Sequence, residues 1–129
     1  MDRDRFMRRA LWATVVFNFF GMLLFAFPGS LGRLAGLPGP VSHMYTVPLA
    51  FFVALFGGSY AWLATQPEID RPLVAFAAIG KTGFFVICLV LWLLGEARGQ
   101  GVVAAAGDLV FAGIFVWWLL GEDRPPLTP

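Results

Sequence analysis

The chain has 129 residues, of which 59% are hydrophobic, 16% aromatic and only 13% charged, and its formal net charge is +1. Soluble domains carry about 25% charged residues, so this composition cannot cover a water-facing surface. It excludes a disordered chain, a nucleic-acid-binding protein and an ordinary soluble enzyme. It predicts a single integral membrane domain over residues 1–129.

Four long apolar stretches set the predicted helices. A helix needs about 20 apolar residues to cross the roughly 30 Å hydrocarbon layer of a bilayer. Two of the stretches are broken by one charge each, Lys81 and Asp108. No small-x-small cleavage site follows the first stretch, which is therefore an anchor rather than a signal peptide. We predict an all-α, four-helix transmembrane bundle in up-down-up-down order, with helices at about 10–27, 45–65, 72–95 and 101–121.

The basic residues predict the orientation of this bundle. Cytoplasmic segments of membrane proteins are enriched in Lys and Arg. With the N-terminus inside, the outer loops hold only Arg33 and Arg98. The inner segments then hold six arginines: Arg3, Arg5, Arg8, Arg9, Arg71 and Arg124. We therefore predict a multi-pass protein of the bacterial inner membrane with both termini in the cytoplasm.

Two local features accompany these helices. The outer connection over residues 28–44 has two open interpretations: a short interfacial helix over 30–37 with Ser30 as its N-cap, or an irregular loop shaped by Gly and Pro. Within the bilayer, small residues at four-residue spacing mark packing faces. In helix two this spacing predicts a face made of Ala50, Ala54 and Gly58.

The most informative residues are the ionisable ones inside the helices. Lys81 and Asp108 each cost about 2.5–3.5 kcal/mol near a helix centre. Their predicted depths differ by about 7–8 Å along the membrane normal, which a long Lys side chain closes in large part. Either a direct ion pair or a bridge through Asn18 or a water follows. Ser59 is expected near the level of Lys81, where two neighbouring glycines leave room for the ammonium group.

This cluster of Lys81, Asp108 and Asn18 has two interpretations. The first is structural, with the polar groups fixing how the helices align. The second is functional, either as a proton or ion relay or as an anchor for the polar end of a ligand. His43, just before helix two, is either an interfacial side chain or a pH-sensitive ligand contact. Arg33 in the outer loop is either solvated or bound to a lipid phosphate.

Metal and cofactor chemistry is not predicted. His43 is the only histidine and Cys88 the only cysteine, and they lie in different helices. A single cysteine also excludes an internal disulfide. The chain has no metalloprotease, nucleophile-elbow, phosphate-loop or Cys-x-x-Cys motif. We therefore expect no metal, no cofactor and no nucleic-acid partner.

Several segments resemble small bacterial membrane proteins gathered around the DoxX-like group. The resembling segments are Pro28 with Gly36-Leu37-Pro38, Ile79-Gly80-Lys81, and Gly107-Asp108-Leu109-Val110-Phe111-Ala112. The resemblance covers most of the chain and implies a compact four-helix bundle, in some members linked to oxidoreductases or larger complexes. It carries over no catalytic residue. A second similarity, to sterol isomerase-like proteins, implies a bundle that holds an apolar ligand.

The sequence leaves three functions open. The first is a non-enzymatic accessory subunit or interaction module, whose lipid-facing helices pack on partner membrane subunits or on copies of the same chain. The second is a small ligand-binding, lipid-binding or ion- or proton-translocating protein that uses the Asn18, Lys81 and Asp108 cluster. The third is a membrane isomerase, with Lys81 and Asp108 as an acid–base pair, or a redox partner.

Overall fold

The structure, a computed structural model, describes residues 2–121. This part of the chain is all-helical, as predicted, and contains four helices that are long and apolar enough to cross a membrane. The four helices are α1 Arg3–Ala26, α2 His43–Thr65, α3 Arg71–Leu93 and α4 Gly99–Leu120. Arg124, one of the six inner arginines, lies outside the described residues.

The ends of α2, α3 and α4 lie within two residues of their predicted positions, but α1 begins at Arg3 rather than at residue 10. The prediction was wrong because it equated the helix with its charge-free part. The Asp2 side chain accepts a hydrogen bond from the Asp4 backbone N–H at 3.0 Å and caps the helix at its true start. Such a cap satisfies one of the free N–H groups of the first turn.

The helices form two pairs. α1 packs along α2, α3 packs along α4, and α1 and α4 join the pairs, whereas α2 and α3 make no extensive contact. The buried core lies toward one end of the bundle, where Met7, Leu11, Val74 and Phe115 are fully buried. The other half of the bundle therefore has space between its helices.

Arginine side chains close the same end of the bundle. Arg8 donates to the carbonyl oxygens of Ala64 at 2.7 Å and Pro67 at 3.0 Å, just where α2 ends. Arg71, at the start of α3, donates to the carbonyl of Leu119 in the last turn of α4. The last carbonyls of a helix have no partner within it, so these cations satisfy them and complement the helix dipole.

The packing face of α2 differs from the prediction. Ala50 is buried as expected, but Ala54 and Gly58 are exposed. The buried face continues instead through Gly57 and Tyr60. A Cβ atom placed on Gly57 would lie 3.2 Å from Asn18 Cβ, so this glycine is where α1 and α2 approach each other closely. The prediction placed Gly58 in the packing face, whereas its neighbour Gly57 is the glycine that faces α1.

The outer connection combines features of both interpretations. A short π-helical turn spans Pro28–Gly32, two residues before the predicted start. Ser30 is not its N-cap: the turn follows Phe27, and no side chain caps it. The chain then turns at Gly36, which has a φ of +88°. Glycine adopts this conformation readily because glycine lacks a Cβ atom. This turn seats the loop against the start of α4, where a Cβ on Gly36 would meet the Gln100 side chain at 2.8 Å.

Candidate ligand-binding cavity

A lysine and an aspartate form an ion pair in the middle of the bundle. Lys81 lies at the centre of α3 and Asp108 close to the centre of α4. Lys81 Nζ lies 2.6 Å from Asp108 Oδ1, and the two side chains are only 4% and 13% exposed. A pair this short is a charge-assisted hydrogen bond, which is stronger than one between neutral groups. Of the connections that the sequence left open, the structure contains the direct one.

Asn18 links this pair to α2. Its side-chain oxygen accepts a hydrogen bond from Lys81 Nζ at 3.2 Å, and its side-chain nitrogen donates to the Val53 carbonyl at 3.0 Å. The Lys81 ammonium also faces the rings of Phe17, at 5.1 Å, and Tyr60, at 5.2 Å. Aromatic faces attract cations, so all four helices contribute to holding this ammonium group.

A cavity of about 280 Å³ reaches this cluster. Asn18, Lys81, Asp108 and Tyr60 are its polar lining side chains, apart from the Cys88 thiol. The remaining lining is apolar or glycine and comes from all four helices and the outer loop: Phe17, Gly21, Leu24, Phe25, Ala35, Leu37, Leu49, Phe52, Val53, Phe56, Ala77, Gly80, Phe84, Gly101, Ala104 and Ala105. The cavity is thus apolar except for one polar region.

A second cavity, of about 200 Å³, lies between α2 and α3. It shares Phe56, Tyr60 and Ala77 with the first, so the two form adjoining spaces. The rings of Phe56 and Phe76 stack with their centroids 6.1 Å apart and span the gap between α2 and α3. Both rings are partly exposed, at 39% and 58%. In a bilayer this gap would face lipid.

Tyr60 is a polar cavity residue that the sequence analysis missed. It is 3% exposed and lines both cavities. Its hydroxyl makes no hydrogen bond to any described residue. It is not fully enclosed either, because between residues 2 and 121 the only enclosed polar side-chain atom without a hydrogen-bond partner is the Thr46 hydroxyl. The Tyr60 hydroxyl is therefore accessible rather than sealed, on a residue that lines both cavities. A tyrosine within an apolar span was the available signal, because a buried tyrosine hydroxyl usually finds a partner.

The other predicted site residues lie apart from this cluster. Ser59 does not line the larger cavity; its hydroxyl donates to the Phe56 carbonyl at 2.7 Å, within its own helix. It lines only the smaller cavity. His43, the first residue of α2, and Arg33, in the outer connection, are both exposed. The structure thus brings together Asn18, Lys81 and Asp108, and does not bring the other three to them.

The site offers polar groups that can form hydrogen bonds, but it carries no net charge. Lys81 and Asp108 cancel each other's charge, and among the described residues no other charged side chain lines the cavity. Within residues 2–121, no three His, Cys, Asp or Glu side chains are grouped to hold a metal ion. Comparisons with protein-family models, with curated proteins and with solved structures find no match to this chain.

Proposed function

We propose that this protein is a non-enzymatic, multi-pass membrane protein that binds a small amphiphilic molecule inside its helix bundle. The observation that carries the proposal is the 280 Å³ apolar cavity that is lined by the Lys81–Asp108 pair. Ligand sites are typically apolar pockets with a few convergent polar groups that orient the ligand. The size lies just below the roughly 300–1,000 Å³ range of such pockets, which indicates a small ligand.

Ligand binding explains features that a purely structural role does not. An ion pair that only fixes the helices needs no space beside it. Here Asp108 uses one carboxylate oxygen for Lys81, and its second accepts no hydrogen bond from the described residues. That oxygen is not sealed either, and Asp108 lines the cavity. Unused hydrogen-bonding capacity beside an apolar cavity favours a bound molecule.

The same geometry favours binding over ion or proton translocation. A pathway through a bilayer needs a chain of polar groups or water on both sides of the central site. Apart from the polar groups around Lys81, the cavity is instead lined mostly by Phe, Leu, Val, Ala and Gly. A non-polar wall accommodates an acyl or ring system and repels an ion.

The proposal includes a topology and a location. We propose that the helices cross a bacterial inner membrane in up-down-up-down order, with both termini in the cytoplasm. In support, Arg3, Arg8 and Arg71 all contact the end of the bundle formed by the last turns of α2 and α4. A basic cytoplasmic end matches the positive-inside rule. A partner subunit and membership of the DoxX-like group stay predictions from the sequence.

The proposed function is tested by identifying what the protein carries. We expect protein purified in detergent to release about one small amphiphile per chain on solvent extraction, as measured by mass spectrometry. Gly80→Leu should abolish this recovery. Gly80 lines the cavity, and no atom lies within 4 Å of a Cβ placed there, so a leucine side chain can extend into the cavity without clashing.

Gly113→Leu is the matched control. Gly113, like Gly80, is an exposed helical glycine with nothing within 4 Å of a Cβ, but it does not line the cavity. It should retain the ligand at the wild-type ratio. Equal recovery from the Gly80 and Gly113 variants, or recovery of bulk lipid alone from the wild type, would contradict the proposed function.

A further inference from the structure

The chemical class of the ligand follows from the charges and unused hydrogen bonds of the cavity. We infer, on the basis of the proposed function, that the cavity selects an uncharged amphiphile whose polar group is a hydroxyl, held between the Asp108 carboxylate and the Tyr60 hydroxyl. Its apolar part then lies along the wall that runs from Lys81 toward the outer loop.

The charge balance excludes a charged head group. The Lys81 ammonium lies 2.6 Å from its counter-ion, and no further charged side chain from residues 2–121 lines the cavity. A carboxylate or ammonium on the ligand would therefore be a net buried charge, which is very costly away from water. It would have to break the Lys81–Asp108 pair to find a partner. An uncharged group avoids both costs.

The free hydrogen-bonding positions specify what the uncharged group must do. One Asp108 oxygen lacks a donor, and the Tyr60 hydroxyl lacks any partner among the described residues. A carboxylate oxygen only accepts, whereas a tyrosine hydroxyl both donates and accepts. A ligand hydroxyl donates to Asp108 and accepts from Tyr60, and so satisfies both at once. A ketone or ester carbonyl only accepts, so it leaves the Asp108 oxygen without a donor.

The polar group matters more here than in a soluble protein. A ligand tail that leaves a bilayer for an apolar cavity gains little hydrophobic energy, because lipid is equally apolar. Selectivity then depends on the hydrogen bonds at Asp108 and Tyr60. The cavity volume of about 280 Å³ suits a small molecule. 1-Octanol, which has a single hydroxyl on a short alkyl chain, is a suitable probe.

Cys88 provides a direct readout of occupancy. It lines the cavity about two helical turns from Lys81 on α3 and is the only cysteine of the chain. A molecule bound in the cavity should therefore shield its thiol. The rate at which N-ethylmaleimide alkylates Cys88, measured by intact-protein mass spectrometry, reports how much of the protein is occupied.

The experiment compares three probes of equal chain length on the full chain in nanodiscs: 1-octanol, octanoate and octylammonium. They are compared at equal membrane concentrations. We expect 1-octanol to slow alkylation saturably, by at least fivefold, and the two charged probes to slow it less than twofold. Equal protection by all three probes, or better protection by a charged one, overturns the inferred head group and leaves the proposed function intact. Protection by none of them overturns both.

The two tyrosines of the chain supply a matched pair of variants. Tyr60→Phe removes the cavity hydroxyl, while Tyr45→Phe makes the same change at a side chain that is 74% exposed. We expect Tyr60→Phe to weaken protection by 1-octanol about five- to tenfold, the effect of one lost hydrogen bond. Tyr45→Phe should behave as the wild type. Equal affinity in the two variants would show that the Tyr60 hydroxyl does not hold the ligand.

Discussion

Replacing Asp108 alone is expected to destabilise the protein more than replacing both members of its ion pair. Asp108→Ala leaves the Lys81 ammonium, 4% exposed, without its counter-ion at the centre of the bundle. Removing one partner of a buried pair costs about 3–5 kcal/mol, whereas apolar replacement of both is often nearly neutral. We therefore expect the double variant Lys81→Met with Asp108→Leu to unfold in detergent at a clearly higher temperature than Asp108→Ala.

The control for this comparison is Leu109→Ala. Leu109 is the neighbour of Asp108 on α4 but is 41% exposed on the outside of the bundle. Its replacement should change the free energy of unfolding by less than about 0.5 kcal/mol. Losses of equal size in Asp108→Ala and in the double variant would show that Lys81 and Asp108 do not stabilise the bundle as a pair.

Leucine at Gly57 is expected to force α1 and α2 apart. A Cβ at this position already lies 3.2 Å from Asn18 Cβ, and a longer side chain has no space between the two helices. Overpacking of this kind typically costs about 1–3 kcal/mol. Displacement of Asn18 would also remove its hydrogen bond to Lys81, so we expect a loss of about 2–3 kcal/mol in the free energy of unfolding, measured by denaturant titration in detergent.

The adjacent glycine provides the control. Gly58 is exposed, and nothing lies within 4 Å of a Cβ placed on it. Leucine is a better helix former than glycine, so Gly58→Leu should leave stability unchanged or raise it by up to about 1 kcal/mol. The opposite ranking, with Gly58→Leu the more damaging, would restore the packing face expected from the Ala50, Ala54 and Gly58 spacing.

These two sites show which parts of the fold the sequence could predict. The thickness of a bilayer fixes the length of a crossing helix, so uninterrupted apolar stretches located α2, α3 and α4 to within two residues. Two lone opposite charges have a strong reason to meet, because each is costly in hydrocarbon. The residue pattern therefore predicted that Lys81 and Asp108 meet, but it left open whether they do so directly or through Asn18 or a water.

The remaining features depend on how the helices sit against each other. Gly57 and Gly58 are adjacent and chemically identical, so only the rotation of α2 decides which one faces α1. The cavity exists because α2 and α3 do not pack closely, and no residue pattern specifies that gap. The early start of α1 depends on the Asp2 cap, which the charge-based boundary ignored.

A crystal structure of the protein with 8-bromo-1-octanol would show whether the cavity binds an alcohol. Anomalous scattering locates the bromine without reference to the surrounding density. We expect one bromine site at the outer end of the cavity, near Leu24, Phe25 and Leu37, and the hydroxyl between Asp108 and Tyr60. Bromine found only on the outer surface of the helices, with the cavity holding nothing but water, would contradict this expectation.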